Sequence, residues 1–132
     1  MVELRKVNPW SWQDHFGFSQ AIETKQVSRN LRCSGQTSVD GEANPLHAGD
    51  MAAQMGQALD NLETVLKAAD MTLANVVRVN AYVTDIDAAM QHFGTVAGRL
   101  ARAGVQPAVT LPGVARLFHA DLMVELEADA VA

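Results

Sequence analysis

The sequence predicts an α+β fold in which two helices cover one face of a mixed β-sheet. Three observations predict it. Two long stretches carry apolar residues at spacings of three and four, each behind an aspartate suited to capping a helix N-terminus. Several shorter stretches alternate apolar and polar residues with period two, the mark of a half-buried strand. The elements run β-β-α-β-α-β-β, and two helices suffice to cover only one face of a sheet of about five strands.

The chain has 132 residues, which suits one domain (1–132) with one core. Hydrophobic residues make up 48% of it, too many for a disordered chain. A net charge of −5 repels phosphate backbones, so nucleic acid is not an expected partner. The single cysteine, Cys33, has no internal partner for a disulfide and suits a reducing compartment. Residues Met1–Asn8 lack the apolar stretch of a signal peptide. No run approaches the ~20 apolar residues of a membrane span. The expectation is a cytoplasmic protein with no membrane partner.

Residues 1–17 read as irregular. Trp10, Trp12 and Phe16 in this segment either cap the edge of the core or line a pocket or subunit contact. Phe18–Thr24 and Leu31–Gln36 read as two short strands close enough to form a hairpin, with Asn30 suited to positive φ in the turn. Val39–Gly49 is a loop rich in Gly, Asn, Asp and Pro. Asp50 then caps a helix of about five turns, whose buried stripe is Met51, Met55, Ala58, Leu59, Leu62, Val65, Leu66 and Ala69.

Asn75–Asp85 is a strand. Val77, Val79, Ala81 and Val83 are expected to meet a helix, while Val76, Arg78, Asn80 and Tyr82 face a cleft or a subunit. Asp85 or Asp87 caps a second helix to about Ala103, with a stripe of Met90, Phe93, Val96, Ala97 and Leu100. Gly94 and Gly98 inside it each cost up to ~1 kcal/mol relative to Ala, which predicts close approach to the sheet there. Gly104 ends the helix. Pro107–Val114 is extended. After a loop, Leu122, Val124 and Leu126 face the core while Met123, Glu125 and Glu127 face outward. A face carrying Phe18, Tyr82 and Met123 is unfavourable to leave wet, so an oligomer is expected to cover it.

The four histidines lack metal-ligand spacing, and no phosphate-binding glycine loop is present, so neither a metal nor a cofactor is expected. Ser34, in Cys-Ser-Gly-Gln, lacks the spacing of a nucleophile elbow. Cys33, inside an apolar strand, reads as structural. Glu125 and Glu127 are either solvated edge charges or carboxylates of a closed cleft, where one of them positions water. Arg32, Arg78 and Arg116 are all placed to pair with them or to hold an anion.

Six short stretches, in order over about 110 residues, resemble the Rid family of reactive intermediate deaminases, also labelled endoribonuclease L-PSP. They are Phe18-Ser-Gln20, Cys33-Ser-Gly-Gln36, Gln54 through Asn61-Leu62, Val79–Asp87, Pro107-Ala108 and Val124-Glu-Leu-Glu-Ala128. The resemblance implies a chorismate-mutase-like homotrimer with a small-molecule cleft at each subunit interface. It implies cofactor-free hydrolysis of enamines and imines to ammonia and a 2-keto acid. In the family an arginine of Pro-Ala-Arg clamps the substrate carboxylate, and the glutamate matching Glu125 helps to position water.

This chain departs from the family at that clamp, because the arginine position is Val109. An isopropyl group offers no bidentate grip, and loss of such a contact costs on the order of 2–5 kcal/mol of binding. Glu125 and the hydroxyl of Thr110 remain, and the loop Leu117–Leu122 is one residue longer than the family's. The expected site therefore has Glu125 as the catalytic carboxylate, with Phe18, Ser34, Val109, Thr110 and Arg116 as ligand contacts. The expected ligand is less anionic than an amino-acid imine, or is anchored by another arginine such as Arg116. A non-catalytic ligand-binding or regulatory trimer is the alternative. Ribonuclease activity, the sense of the older label, is disfavoured by the acidic charge and the missing histidine pair.

Overall fold

In chain order the structure, a computed structural model describing residues 1–132, contains β1 (Glu3–Val7), β2 (Ala21–Lys25), β3 (Asn30–Thr37) and α1 (Met51–Ala68). These are followed by β4 (Val76–Val83), α2 (Ile86–His92), α3 (Gly94–Arg102), β5 (Ala108–Thr110) and β6 (Val124–Val131). The main sheet has the order β3-β6-β4-β5. β6 pairs antiparallel with β3 and β4, and β5 pairs parallel with β4, so the sheet is mixed as expected.

The helices meet this sheet on one face. Met55, Leu59, Leu62 and Leu66 of α1, with Val96 and Leu100 of α3, join Val79, Ala81, Val83, Val124, Leu126 and Ala128 in one cluster of 20 buried residues. Fully burying an aliphatic side chain of this size contributes roughly 1.5–3 kcal/mol. The opposite face carries Arg78, Asn80, Tyr82, Glu125, Glu127 and Asp129, all half-buried. Both helix starts are capped as predicted: Asp50 accepts a hydrogen bond from the Ala53 N–H at 3.0 Å, and Asp85 accepts one from Ala88 at 3.0 Å. Arg99 ties α3 to α1, donating to Asp60 Oδ1 at 2.7 Å and to Glu63 Oε2 at 2.6 Å.

Several expectations are corrected. The N-terminal segment is not irregular: β1 pairs antiparallel with β2 from Glu3↔Lys25 to Val7↔Ala21, and a short 3-10 helix spans Trp12–Phe16. β2 and β3 therefore form no hairpin. Gln26, at φ 55°, takes the positive φ expected of Asn30, and Asn30 begins β3, pairing with Val131. A register shift between Val76 and Arg78 turns Val76 into the core and leaves Val77 half-buried, the reverse of simple alternation.

The second helical stretch is interrupted at Phe93, and Met90 stands 50% exposed instead of buried. Close approach does not explain Gly94 or Gly98. A Cβ at Gly94 would meet nothing, and one at Gly98 only the Arg102 side chain. The glycines that pack closely on this helical stretch are Gly17 (φ 78°), whose added Cβ would lie 3.2 Å from Ala97 Cβ, and Gly113, whose added Cβ would lie 3.1 Å from Ile86 Cγ1.

Candidate functional site

A chain of polar side chains crosses the open face from β5 to β6. Arg78 Nη2 donates to Thr110 Oγ1 at 2.8 Å, and Arg78 Nε donates to Asn80 Oδ1 at 3.1 Å. Asn80 Nδ2 donates to Glu127 Oε1 at 2.9 Å, and the Tyr82 hydroxyl donates to the same oxygen at 2.7 Å. These two donors hold the Glu127 carboxyl below the usual carboxylate range, and the Arg78 charge adds to the effect. The same hydrogen bond, together with burial, pushes the Tyr82 phenol above its ordinary value. Strand register places these groups: Asn80 lies opposite both Glu127 and Thr110.

Glu125 shares that face, opposite Tyr82 and Thr37, but takes no part in the chain of hydrogen bonds. Its side chain lies over Gly35. A Cβ at residue 35 would fall 2.4 Å from Glu125 Cδ and 2.6 Å from its Cγ. Gly35 lies in the register shift between Cys33 and Gln36, so the Ser34-Gly35 step is displaced from the regular ladder beneath the carboxylate.

Val109 points the other way. It pairs with Val79, whose side chain is in the core, and it lines a cavity of about 270 Å³ with Trp12, Phe16, Phe18, Met90, Phe93 and Leu111. All seven lining residues are hydrophobic. Three aromatic rings are arranged around one another: Trp12 to Phe18 at 5.8 Å and Trp12 to Phe16 at 6.4 Å, both edge-to-face, and Phe16 to Phe18 at 6.5 Å. Trp12 and Phe16 remain 55% and 42% exposed, so the cavity opens to the surface.

The structure thus brings Val109 and Phe18 together, and sets Glu125 against the Gly35 backbone next to Ser34. Thr110 is joined to Arg78 rather than to Glu125. Arg116 stands exposed in the loop after β5 and lies neither along the cavity nor in the polar chain. Sequence reasoning missed Glu127 as the bonded carboxylate, because the register of β4 on β6 decides which glutamate meets Asn80. It also left the roles of Trp12 and Phe16 open. Their spacing of four, with Phe18 just beyond, was the available signal.

The fold and the cavity define a two-layer α+β protein with an apolar cavity of small-molecule size beside an open, polar sheet face. Within that class the assignment is specific: residues 13–132 match the family described as Endoribonuclease L-PSP, and the chain belongs to this family, the Rid family. Over 79 residues it is 38% identical to the mouse 2-iminobutanoate/2-iminopropanoate deaminase, a match over 60% of this chain and 53% of the mouse protein. Identity to the human deaminase of the same description is 36% over 70 residues, covering 53% of this chain and 49% of the human one. The matches span about half the length of these relatives.

Among solved structures, the Rid-family protein YyfB of Yersinia pestis, of unknown function, has a TM-score of 0.89 at 31% identity, covering 98% of each chain. The Escherichia coli YjgF gene product has a TM-score of 0.71 at 27% identity, covering 86% of this chain and 87% of the other.

Proposed function

We propose that the protein is a homotrimer that hydrolyses imines or enamines in clefts between subunits, with Glu125 as the group that positions water. The supporting observation is the disposition of Glu125 and Val109. Register sets Glu125 with Tyr82 on the open face of the sheet, and Val109 with Val79 on the helix face. A cleft that uses both needs two chains. The half-buried open face and the exposed Trp12, Phe16 and Met90 supply surface for such contacts.

In this reading the Glu125 carboxylate takes a proton from its bound water as the oxygen attacks the imine carbon, the C=N pair moves to nitrogen, and nitrogen takes that proton; the carbinolamine hydroxyl then gives its proton to nitrogen. Departure of ammonia from the resulting carbinolamine leaves the carbonyl product, with no redox change. Thr110 Oγ1 accepts from the Arg78 guanidinium, which leaves the threonine's own proton for the substrate. The imine deaminase descriptions of the mouse and human relatives favour this chemistry.

The test is ammonia release from a panel of imines generated in place by an amine oxidase, with sedimentation to establish the trimer. Wild type is expected to accelerate release and Glu125→Gln to abolish the acceleration. Equal rates for the two proteins overturn the catalytic role. Val109 favours a second reading, a non-catalytic ligand-binding trimer, in which cavity ligands raise Tm without turnover.

A further inference from the structure

Building on the hydrolytic reading, we infer that the substrate is an uncharged imine bearing an aromatic or branched alkyl group, which seats in the Val109 cavity, and that it carries no carboxylate next to the reacting carbon. The cavity has an apolar wall. Its seven lining side chains, Trp12, Phe16, Phe18, Met90, Phe93, Val109 and Leu111, include no donor for an anion apart from the Trp12 indole. A carboxylate pressed against this wall loses its hydration and gains no countercharge.

The nearest basic side chain along the sheet, Arg78, is committed to the opposite face. It pairs in register with Ala108, one residue before Val109, and its Nε and Nη2 donate to Asn80 and Thr110 on that face. Arg116 lies outside the cavity. No guanidinium of the chain therefore lines the cavity beside Val109.

What the cavity does offer is π surface. Trp12, Phe16 and Phe18 surround it edge-to-face or tilted, an arrangement that receives another ring by the same geometry. A volume of about 270 Å³ admits one ring or a branched chain and is too small for a helix or strand of a protein partner. Met90, half exposed and flexible, lies at the boundary and adapts to the shape of the group that enters.

Reaction of such a substrate follows the balance given above: water contributes its oxygen to the former imine carbon, ammonia departs, and a neutral aldehyde or ketone is released. The class of reaction that supplies it is oxidation of a primary amine lacking a carboxylate.

The test uses a matched pair, acetophenone and phenylglyoxylate, which share a ring and a carbonyl and differ by methyl against carboxylate. Binding to the intact oligomer is followed by calorimetry and by intrinsic tryptophan fluorescence, to which the cavity residue Trp12 contributes together with Trp10. Acetophenone is expected to bind at least about tenfold more tightly, and Val109→Arg to reverse the order. Val109→Met, which fills the cavity without adding charge, weakens acetophenone by about tenfold and keeps the proposal testable if the arginine variant does not fold. Equal or tighter binding of phenylglyoxylate by the wild type overturns the inference, as does saturable binding of neither.

Turnover of the two corresponding imines separates this inference from the hydrolytic reading. Acetophenone binding without hydrolysis of either imine defeats hydrolysis and leaves the ligand class standing. Preferred hydrolysis of the carboxylate-bearing imine defeats the ligand class and leaves hydrolysis standing.

Discussion

The side chain of Glu125 occupies the space in which a side chain at residue 35 would begin. The nearest approach, 2.4 Å between an added Cβ and Glu125 Cδ, is far inside any tolerated contact. Gly35→Ala is therefore expected to move the Glu125 side chain to another rotamer rather than to break the sheet. The stability change is about 1 kcal/mol, while imine hydrolysis falls to the level of Glu125→Gln. Urea unfolding beside an ammonia-release assay distinguishes this from a general loss of fold.

The Tyr82–Glu127 pair gives a pH signature at each end of the range. Glu127 has a folded pKa below its unfolded value, so its contribution is present above the unfolded pKa and is lost as pH falls through the folded one. Tyr82 has a raised folded pKa, so its contribution is present below an ordinary value of about 10 and is lost as pH rises through the folded value. Tyr82→Phe is expected to flatten both losses and to move the Glu127 titration upward. Carboxyl NMR titration and denaturant midpoints from acid to strongly alkaline pH check this.

Gln13 is 1% exposed, and its Nε2 has no acceptor, although its Oε1 receives Gln20 Nε2 at 3.3 Å. A buried donor without a partner carries a desolvation penalty of roughly 1–3 kcal/mol. Gln13→Leu is expected to stabilise the fold by about 1 kcal/mol, read as a higher urea midpoint with an unchanged slope. A lower midpoint would show that the amide is bonded in the assembled protein.

Burial pushes the Cys33 thiol up, and the nearby Asp129 charge adds to the shift. The thiol is expected to react slowly with a disulfide reagent at pH 8 in the native protein and fully once unfolded. Substitution of Asp129 by Asn should speed the native reaction only slightly, since burial is the larger cause.

Local patterning carried much of the fold. The α1 stripe, both aspartate caps and the alternation of β6 were legible because each depends on neighbours in sequence. Pairing was less so. Nothing local tells residues 21–25 to choose the N-terminal strand over β3, and the shift at Val76 exchanges two valines without changing composition. The site divides in the same way. Val109 stood out because a known motif is interrupted there. The Arg78–Thr110 and Asn80–Glu127 bonds join residues 32 and 47 positions apart, so only the assembled sheet reveals them.

The main sheet has its latest strand, β6, second from one edge, between β3 and β4. During synthesis β3, α1, β4 and β5 all emerge before the strand that joins them. Until residues 124–131 leave the ribosome, β3 has no partner in the main sheet, and the part of α1 that packs on β6 stays uncovered. Closure of the sheet is then a late, long-range event, and the nascent chain is most prone to aggregation just before it.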